Sequence, residues 1–164
     1  METTYYAALW FLPFVLPICL FVAWNDMKFM KIPNVLVLAM LAVFLVLGPI
    51  ALGFDTYLWR LVHFAVILLA GFILNATGQL GGGDAKFCAA MAPFIAYGDL
   101  VLFLGILAAS LLAAFFGHRA LRMFPRIQML TPEWKSWSEH KFPMGLALGM
   151  AMVIYLAMAL RQGL

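Results

Sequence analysis

Residues 3–25 read TTYYAALWFLPFVLPICLFVAWN and contain no Asp, Glu, Lys or Arg. A helix of about 20 apolar residues is long enough to cross the hydrocarbon core of a bilayer. Five further stretches lack the same four residue types, namely residues 33–54, 61–83, 87–98, 100–117 and 142–160. The sequence therefore predicts an all-α polytopic membrane protein with about six transmembrane helices, in a single transmembrane domain over residues 1–164.

The composition excludes a soluble protein. Of the 164 residues, 66% are hydrophobic and only 10% are charged, with a mean hydropathy of +1.04. Soluble proteins carry about 25% charged residues, so the apolar excess must face membrane lipid. The basic residues then report membrane topology rather than nucleic-acid binding. The two cysteines are too few for a disulfide framework or a zinc site.

The fourth stretch, residues 87–98, would reach only about 18 Å as a helix. If all six stretches cross, eight of the ten Lys and Arg residues lie on one side, and only Arg60 and Arg161 lie on the other. If the fourth stretch does not cross, this bias disappears. The positive-inside rule therefore favours six spans, with both termini outside and the basic face in the cytoplasm. The fourth helix then begins near Asp84, at the shallow edge of the membrane.

Two aspartates stand out on the predicted cytoplasmic side. Asp26 follows the first span and Asp84 opens the fourth, with two crossings between them. A pair of carboxyl groups can share one proton, so that one activates water while the other polarises a carbonyl. This is the chemistry of an aspartic protease, and it requires no metal or organic cofactor.

The surroundings of Asp84 admit two interpretations. Residues 81–86 read GGGDAK, and glycines both adopt backbone conformations closed to other residues and permit close approach of a second chain. The simpler interpretation is a glycine turn in which Asp84 caps the following helix. Residues 75–79 form a polar run that we expect to hydrogen-bond between helices near this turn.

The surroundings of Asp26 read DMKFMKIPN over residues 26–34. Pro33 suits the first position of the second helix, where its missing N–H is not needed. We interpret Lys28 and Lys31 as topological anchors. Asp26 alone would be an ordinary interfacial residue, so its pairing with Asp84 carries the hypothesis.

These motifs resemble those of the bacterial type IV prepilin peptidases, which are membrane aspartyl proteases with a GxGD motif. In that family a basic stretch and Ile-Pro-Asn follow the first aspartate, a Lys lies two residues after the GxGD aspartate, and a Pro-x-Gly segment opens the last helix. The matching residues here are Asp26, Pro33, Asn34, Gly81, Gly83, Asp84, Lys86, Pro143 and Gly145. The resemblance extends over nearly the whole chain.

The resemblance implies an inner-membrane aspartic endopeptidase with Asp26 and Asp84 as its catalytic pair. Its substrate would be the short basic leader of a prepilin or pseudopilin, cut at the cytoplasmic edge of the bilayer, with a pilus assembly system nearby. Gly81 and Gly83 would admit the substrate backbone, and Lys86 would anchor its helix. The family's amino-terminal domain with cysteine pairs is missing, which points to the short branch serving Flp-type, tight-adherence pili without methyltransferase activity.

Three alternatives remain open at this point. The GxGD motif is shared with presenilin-like and preflagellin peptidases, which act on other substrates. A small transporter or channel subunit could use the two carboxylates to bind a cation or relay protons, and an inactive partner of a pilus assembly could retain them.

Residues 118–141, rich in basic and aromatic side chains, are expected to contact lipid at the interface. The alternative for this connection is substrate docking.

Overall fold

The computed structural model describes residues 1–139 and 141–163, without the side chain of Ile127. His140, which belongs to the connection at 118–141, and Leu164 lie outside the described residues. The described chain is helical and contains no strand. Its helices are α1 (Tyr5–Phe29), α2 (Asn34–Leu52), α3 (Phe54–Ala76), α4 (Gly82–Met91), α5 (Leu100–Arg122), α6 (Pro125–Leu130) and α7 (Met144–Arg161).

Five of these helices, α1, α2, α3, α5 and α7, are long and apolar enough to cross a membrane. Many large apolar side chains on them are exposed, including Leu20 at 61% and Phe72 at 69%. Water would penalise such a surface, whereas lipid tails solvate it. The predicted all-α, multi-pass membrane protein is thereby confirmed.

Helix α1 forms the axis of the bundle, with α7 and α2 packed along it; α5 lies against α7, and α3 lies against α4. Gly149 allows α7 to approach α1 closely, since a Cβ at this position would lie 2.9 Å from the carbonyl oxygen of Cys19. Small residues commonly permit such contacts between membrane helices. Helix α4 is largely buried and contacts α2, α3 and α7.

The fourth predicted span is shorter than the sequence indicated. Helix α4 has 10 residues, or about 15 Å, and two 3-10 turns, Ala92–Phe94 and Tyr97–Asp99, follow it. The start of α4 lies near Asp26, towards the C-terminal end of α1. At the other end, Asp99 accepts a hydrogen bond from the backbone N–H of Thr3, beside the start of α1. Residues 82–99 thus run between the two ends of α1, which favours a crossing over a re-entrant segment.

An aromatic cluster fastens this irregular segment to the long helices. The Phe94 ring lies 4.9 Å from that of Phe11 in α1 and 5.2 Å from that of Phe44 in α2, both in edge-to-face geometry. All three side chains are fully buried. Edge-to-face pairs add about 0.5–1.5 kcal/mol beyond the buried area, so this cluster holds the 3-10 turns where a regular helix is lacking.

The first helix is longer than predicted and contains the first candidate aspartate. It continues through Asp26 to Phe29 and ends at Met30, which has left-handed backbone angles, φ 54° and ψ 39°. The N–H of Met30 donates to the carbonyl oxygen of Asp26 at 2.8 Å. Asp26 therefore lies in the last turn of α1 rather than after the span.

Candidate active site

Asp26 is buried and held by the start of the last helix. Its side chain is 5% exposed, and its Oδ2 accepts a hydrogen bond of 2.6 Å from the backbone N–H of Gly145. Gly145 is the second residue of α7, where backbone N–H groups have no partner within the helix. The free N–H at a helix start thus fixes the orientation of this carboxylate.

Gly145 leaves no space for a side chain at this contact. A Cβ there would lie 2.9 Å from the Cβ of Asp26 and 3.0 Å from its Oδ2. Pro143 immediately precedes α7 in an extended conformation, with φ −71° and ψ 96°. The Pro-x-Gly segment therefore starts α7 directly beside Asp26.

Asp84 is the third residue of α4 and is half-buried. The residue at the N-cap position is Gly81, and no side chain caps the helix, so the interpretation of Asp84 as a cap is wrong. Its carboxylate instead lies against Gly81, where an added Cβ would collide with Oδ2. Among residues 1–139 and 141–163, no protein group donates a hydrogen bond to this carboxylate, although its place in the first turn suits a negative charge.

The glycines before Asp84 provide space rather than unusual backbone angles. Gly81 has φ −64° and ψ 139°, and the glycines with positive φ in the described chain are Gly53 and Gly78. The expectation of conformations closed to other residues is therefore wrong for residues 81–83. A Cβ at Gly83 would lie 3.3 Å from the Cβ of Ile32, so Gly83 lets the start of α4 approach the connection between α1 and α2.

Asp26 and Asp84 line the same pocket, which has a volume of about 330 Å³. The other lining residues are Met30, Lys31, Ile32, Asn34, Gly81, Gly82 and Gly83. Residues far apart in sequence thus contribute two carboxyl groups to one concave site. When two carboxylates share a site, ionisation of one opposes ionisation of the other, and such a pair can hold a single proton.

Lys86 and Asn34 join the two segments that carry the site. The Nζ of Lys86 donates to the Oδ1 of Asn34 at 3.2 Å, linking α4 to the first residue of α2. Pro33 occupies the N-cap position of α2 rather than its first helical position, so the helix begins one residue later than predicted. Neither Lys86 nor Pro33 lines the carboxylate pocket. Their contribution is to the positions of α4 and α2, which carry lining residues of the pocket.

The polar run before the glycines forms local bonds. Asn75 donates to the carbonyl oxygen of Leu80 at 2.9 Å, and Thr77 donates to that of Leu74 at 3.0 Å. These contacts close the turn that leads from α3 to α4. The predicted hydrogen bonds between helices are not made by these two side chains.

Sequence reasoning missed Met30, Lys31 and Ile32 as lining residues of the pocket. Lys31 and Ile32 lie inside the motif that follows Asp26, and that motif was the available signal. The left-handed conformation of Met30 carries no such signal, because methionine rarely adopts it. Among the described residues, no three His, Cys, Asp or Glu side chains lie together in a group that could hold a metal ion.

A buried polar cluster at the opposite end of the bundle was also missed. Asp99, 3% exposed, accepts hydrogen bonds from the N–H of Glu2 at 2.7 Å, the N–H of Thr3 at 2.9 Å and the hydroxyl of Tyr155 at 2.9 Å. Arg60 is buried near this cluster and donates to the carbonyl oxygen of Pro93 at 3.2 Å. The cluster ties the starts of α1 and α5 to α7.

Comparison with known proteins gives one match. The model of the type IV leader peptidase family matches residues 13–118, which is more than half of the chain and includes both Asp26 and Asp84. No curated protein and no solved structure matches the chain.

Proposed function

The chain belongs to the type IV leader peptidase family, and from this premise we propose that it is an aspartic endopeptidase with Asp26 and Asp84 as its catalytic pair. The observation that carries the proposal is the single pocket lined by both carboxyl groups. Membership of a peptidase family favours this function over a transporter, channel or inactive partner. The absence of protein donors to Asp84 within the described chain leaves its carboxyl group available to water and substrate.

In the proposed reaction the two carboxyl groups share one proton. The ionised one accepts a proton from water as the water oxygen attacks the carbonyl carbon of the scissile peptide, and the protonated one donates its proton to the carbonyl oxygen. As the C–N bond of the tetrahedral intermediate breaks, the first carboxyl group donates its new proton to the departing nitrogen. The second, now ionised, takes a proton from a hydroxyl of the intermediate as the C=O bond re-forms, so that the pair again holds one proton. Gly145 holds Asp26 in place during these steps through its N–H.

The proposed substrate is the short basic leader of a prepilin or pseudopilin, with the Flp-type branch as the first candidate. A leader cut just before an apolar helix must meet the enzyme at the membrane edge. The pocket lies between the end of α1, the start of α2 and the start of α4, at the boundary of two candidate spans. Lys28, Lys31 and Lys86 lie on these same segments, so the positive-inside rule supports a cytoplasmic site in the bacterial inner membrane, with a pilus assembly system as the neighbouring machinery.

Co-expression with a candidate Flp-type prepilin tests the proposal. Asp26→Asn and Asp84→Asn should each lower the rate of leader removal by about 10²–10⁴-fold, the usual cost of losing a general acid or base. Removal is measured as the mass change of the prepilin, at matched amounts of enzyme in the membrane.

Asp55→Asn is the matched control, because Asp55 is exposed in the first turn of α3 and lies outside the pocket. It should process the prepilin at the wild-type rate. Wild-type processing by either Asp26→Asn or Asp84→Asn would contradict the assignment of the catalytic pair.

A further inference from the structure

A second pocket, of about 490 Å³, adjoins the carboxylate pocket, and we propose that it binds the phosphate of an anionic phospholipid headgroup. It shares Lys31, Ile32 and Asn34 with the carboxylate pocket. Its full lining consists of Asn25, Phe29, Lys31, Ile32, Pro33, Asn34 and Lys135. This site is separate from the proposed catalytic function and does not depend on it.

The lining of the pocket carries two positively charged side chains and no negatively charged one. None of its lining residues is acidic, and within residues 1–139 and 141–163 the ammonium groups of Lys31 and Lys135 have neither an ion-pair nor a hydrogen-bond partner. By contrast, Lys28 pairs with Glu133 at 2.8 Å and Lys86 bonds to Asn34. Basic pockets between membrane helices on the cytoplasmic side bind anionic headgroups, and two unpaired ammonium groups are complementary to one phosphate.

The position of the pocket fits a headgroup. Phe29 ends α1 and Asn34 begins α2, and both helices are candidate spans. The lining therefore lies at the boundary where headgroups are found, and Phe29, Ile32 and Pro33 supply an apolar wall for the glycerol and the first acyl carbons. The Oδ1 of Asn34 accepts from Lys86, which leaves its amide NH₂ as a further donor to a phosphate oxygen.

Lys135 is held beside α1 by a folded segment. The Lys28–Glu133 ion pair connects this segment to α1, and the Trp137 ring stacks on His118 in α5 at 5.0 Å. The indole N–H of Trp137 also donates to the carbonyl oxygen of Thr131 at 3.1 Å. A site positioned in advance loses less entropy on binding.

Native mass spectrometry of the full chain in detergent tests the proposal. The probes are phosphatidylglycerol and phosphatidylcholine with identical acyl chains at equal concentration. The wild type should retain phosphatidylglycerol preferentially. The double variant Lys31→Gln/Lys135→Gln should retain it about 30-fold less, since each basic residue near an anionic lipid surface contributes about fivefold to the binding. Lys31→Arg/Lys135→Arg should restore retention.

Arg126→Gln/Lys141→Gln is the matched control, because it removes the same amount of charge from the connection that carries Lys135, at residues outside the pocket. It should retain phosphatidylglycerol as the wild type does. Equal loss in both double variants would overturn the proposal in favour of diffuse attraction. If Lys31→Gln/Lys135→Gln leaves lipid retention unchanged but raises the KM for a prepilin, the pocket takes an acidic side chain of the substrate and the lipid proposal is wrong.

Discussion

The two ends of the helical bundle both contain buried aspartates, but the environments of these aspartates differ. At one end, the carboxylate of Asp99 accepts three hydrogen bonds from Glu2, Thr3 and Tyr155. At the other end, Asp26 and Asp84 line an open pocket, and the described chain gives the pair a single hydrogen bond, from Gly145.

We interpret this difference as the one between a structural carboxylate and the proposed reactive pair. Buried polar groups in folded proteins are almost always hydrogen-bonded, and Asp99 follows that rule, since each of its donors comes from a segment that it fastens. A carboxyl group with few protein donors in a concave site is instead available to water and substrate. Burial alone would have selected Asp99, whereas hydrogen bonding together with the pocket selects Asp26 and Asp84.

Among the substitutions that test this comparison, Gly145→Ala should have the largest effect, because it disturbs the one hydrogen bond that the described chain gives Asp26 and Asp84. Its Cβ would lie 2.9 Å from the Cβ of Asp26, so either Asp26 or α7 must move and the hydrogen bond at 2.6 Å is lost. A displacement of about 1 Å in a catalytic group costs about 10²-fold in rate. We expect that loss in kcat for leader removal by the purified variant.

Gly149→Ala is the matched control for Gly145→Ala. It lies one turn further along α7 and would place its Cβ 2.9 Å from the carbonyl oxygen of Cys19, so it also disturbs the packing of α7 on α1, but away from Asp26. Both variants should lower the thermal midpoint, and only Gly145→Ala should lower kcat per folded molecule. An unchanged kcat in Gly145→Ala would show that this contact does not position Asp26.

Asp99→Ala should have the next largest effect, on stability. The variant leaves the buried donors of Thr3 and Tyr155 and the partly buried N–H of Glu2 without their acceptor, and each buried unsatisfied group costs about 1–3 kcal/mol. We expect a loss of about 3 kcal/mol in the free energy of unfolding, measured by thermal unfolding in detergent. The folded fraction should cleave prepilin with the wild-type kcat.

Asp55→Ala provides the reference for that measurement, since it removes an exposed carboxylate and should leave the thermal midpoint unchanged. If Asp99→Ala instead abolished cleavage without lowering the midpoint, the division between a structural and a reactive end would be wrong.

The sequence predicted much of the fold because lipid imposes a simple rule on it. A membrane helix excludes charge over about 20 residues, so the five long helices could be recognised from charge-free runs. The bounds of the third were wrong, because α3 begins at Phe54, seven residues before the run at 61–83, and includes Asp55 and Arg60. The positive-inside rule isolated Asp26 and Asp84, because three of the other acidic residues were predicted on the outer side and two in the connection at 118–141. The early end of α4 at Met91 was not predicted, although Pro93 disfavours a helical residue before it and was an available signal.

The remaining features depend on contacts between distant segments. Gly145 lies 119 positions from Asp26 in sequence, and its N–H becomes a partner of that carboxylate only once α7 packs on α1. Likewise, nothing near Asp99 in sequence indicates that it accepts a hydrogen bond from the buried hydroxyl of Tyr155. Composition and spacing indicate which segments lie in lipid. They do not indicate which helices pack together, and that packing creates the contacts of Asp26 and Asp99.

Glu133→Gln should have the smallest effect and extends the comparison to an exposed carboxylate. Hydrogen bonding and charge attraction from Lys28 hold the pKa of Glu133 below its usual value. A carboxyl group with a lower pKa in the folded state stabilises the fold above its unfolded pKa, and that contribution is lost as the pH falls through the folded pKa. Because Glu133 is exposed, water screens the pair, so the thermal midpoints of Glu133→Gln and wild type should coincide from neutral to acid pH. If the thermal midpoint of Glu133→Gln were lower than that of the wild type at neutral pH, the ion pair would hold the connection against α1 more strongly than an exposed contact does.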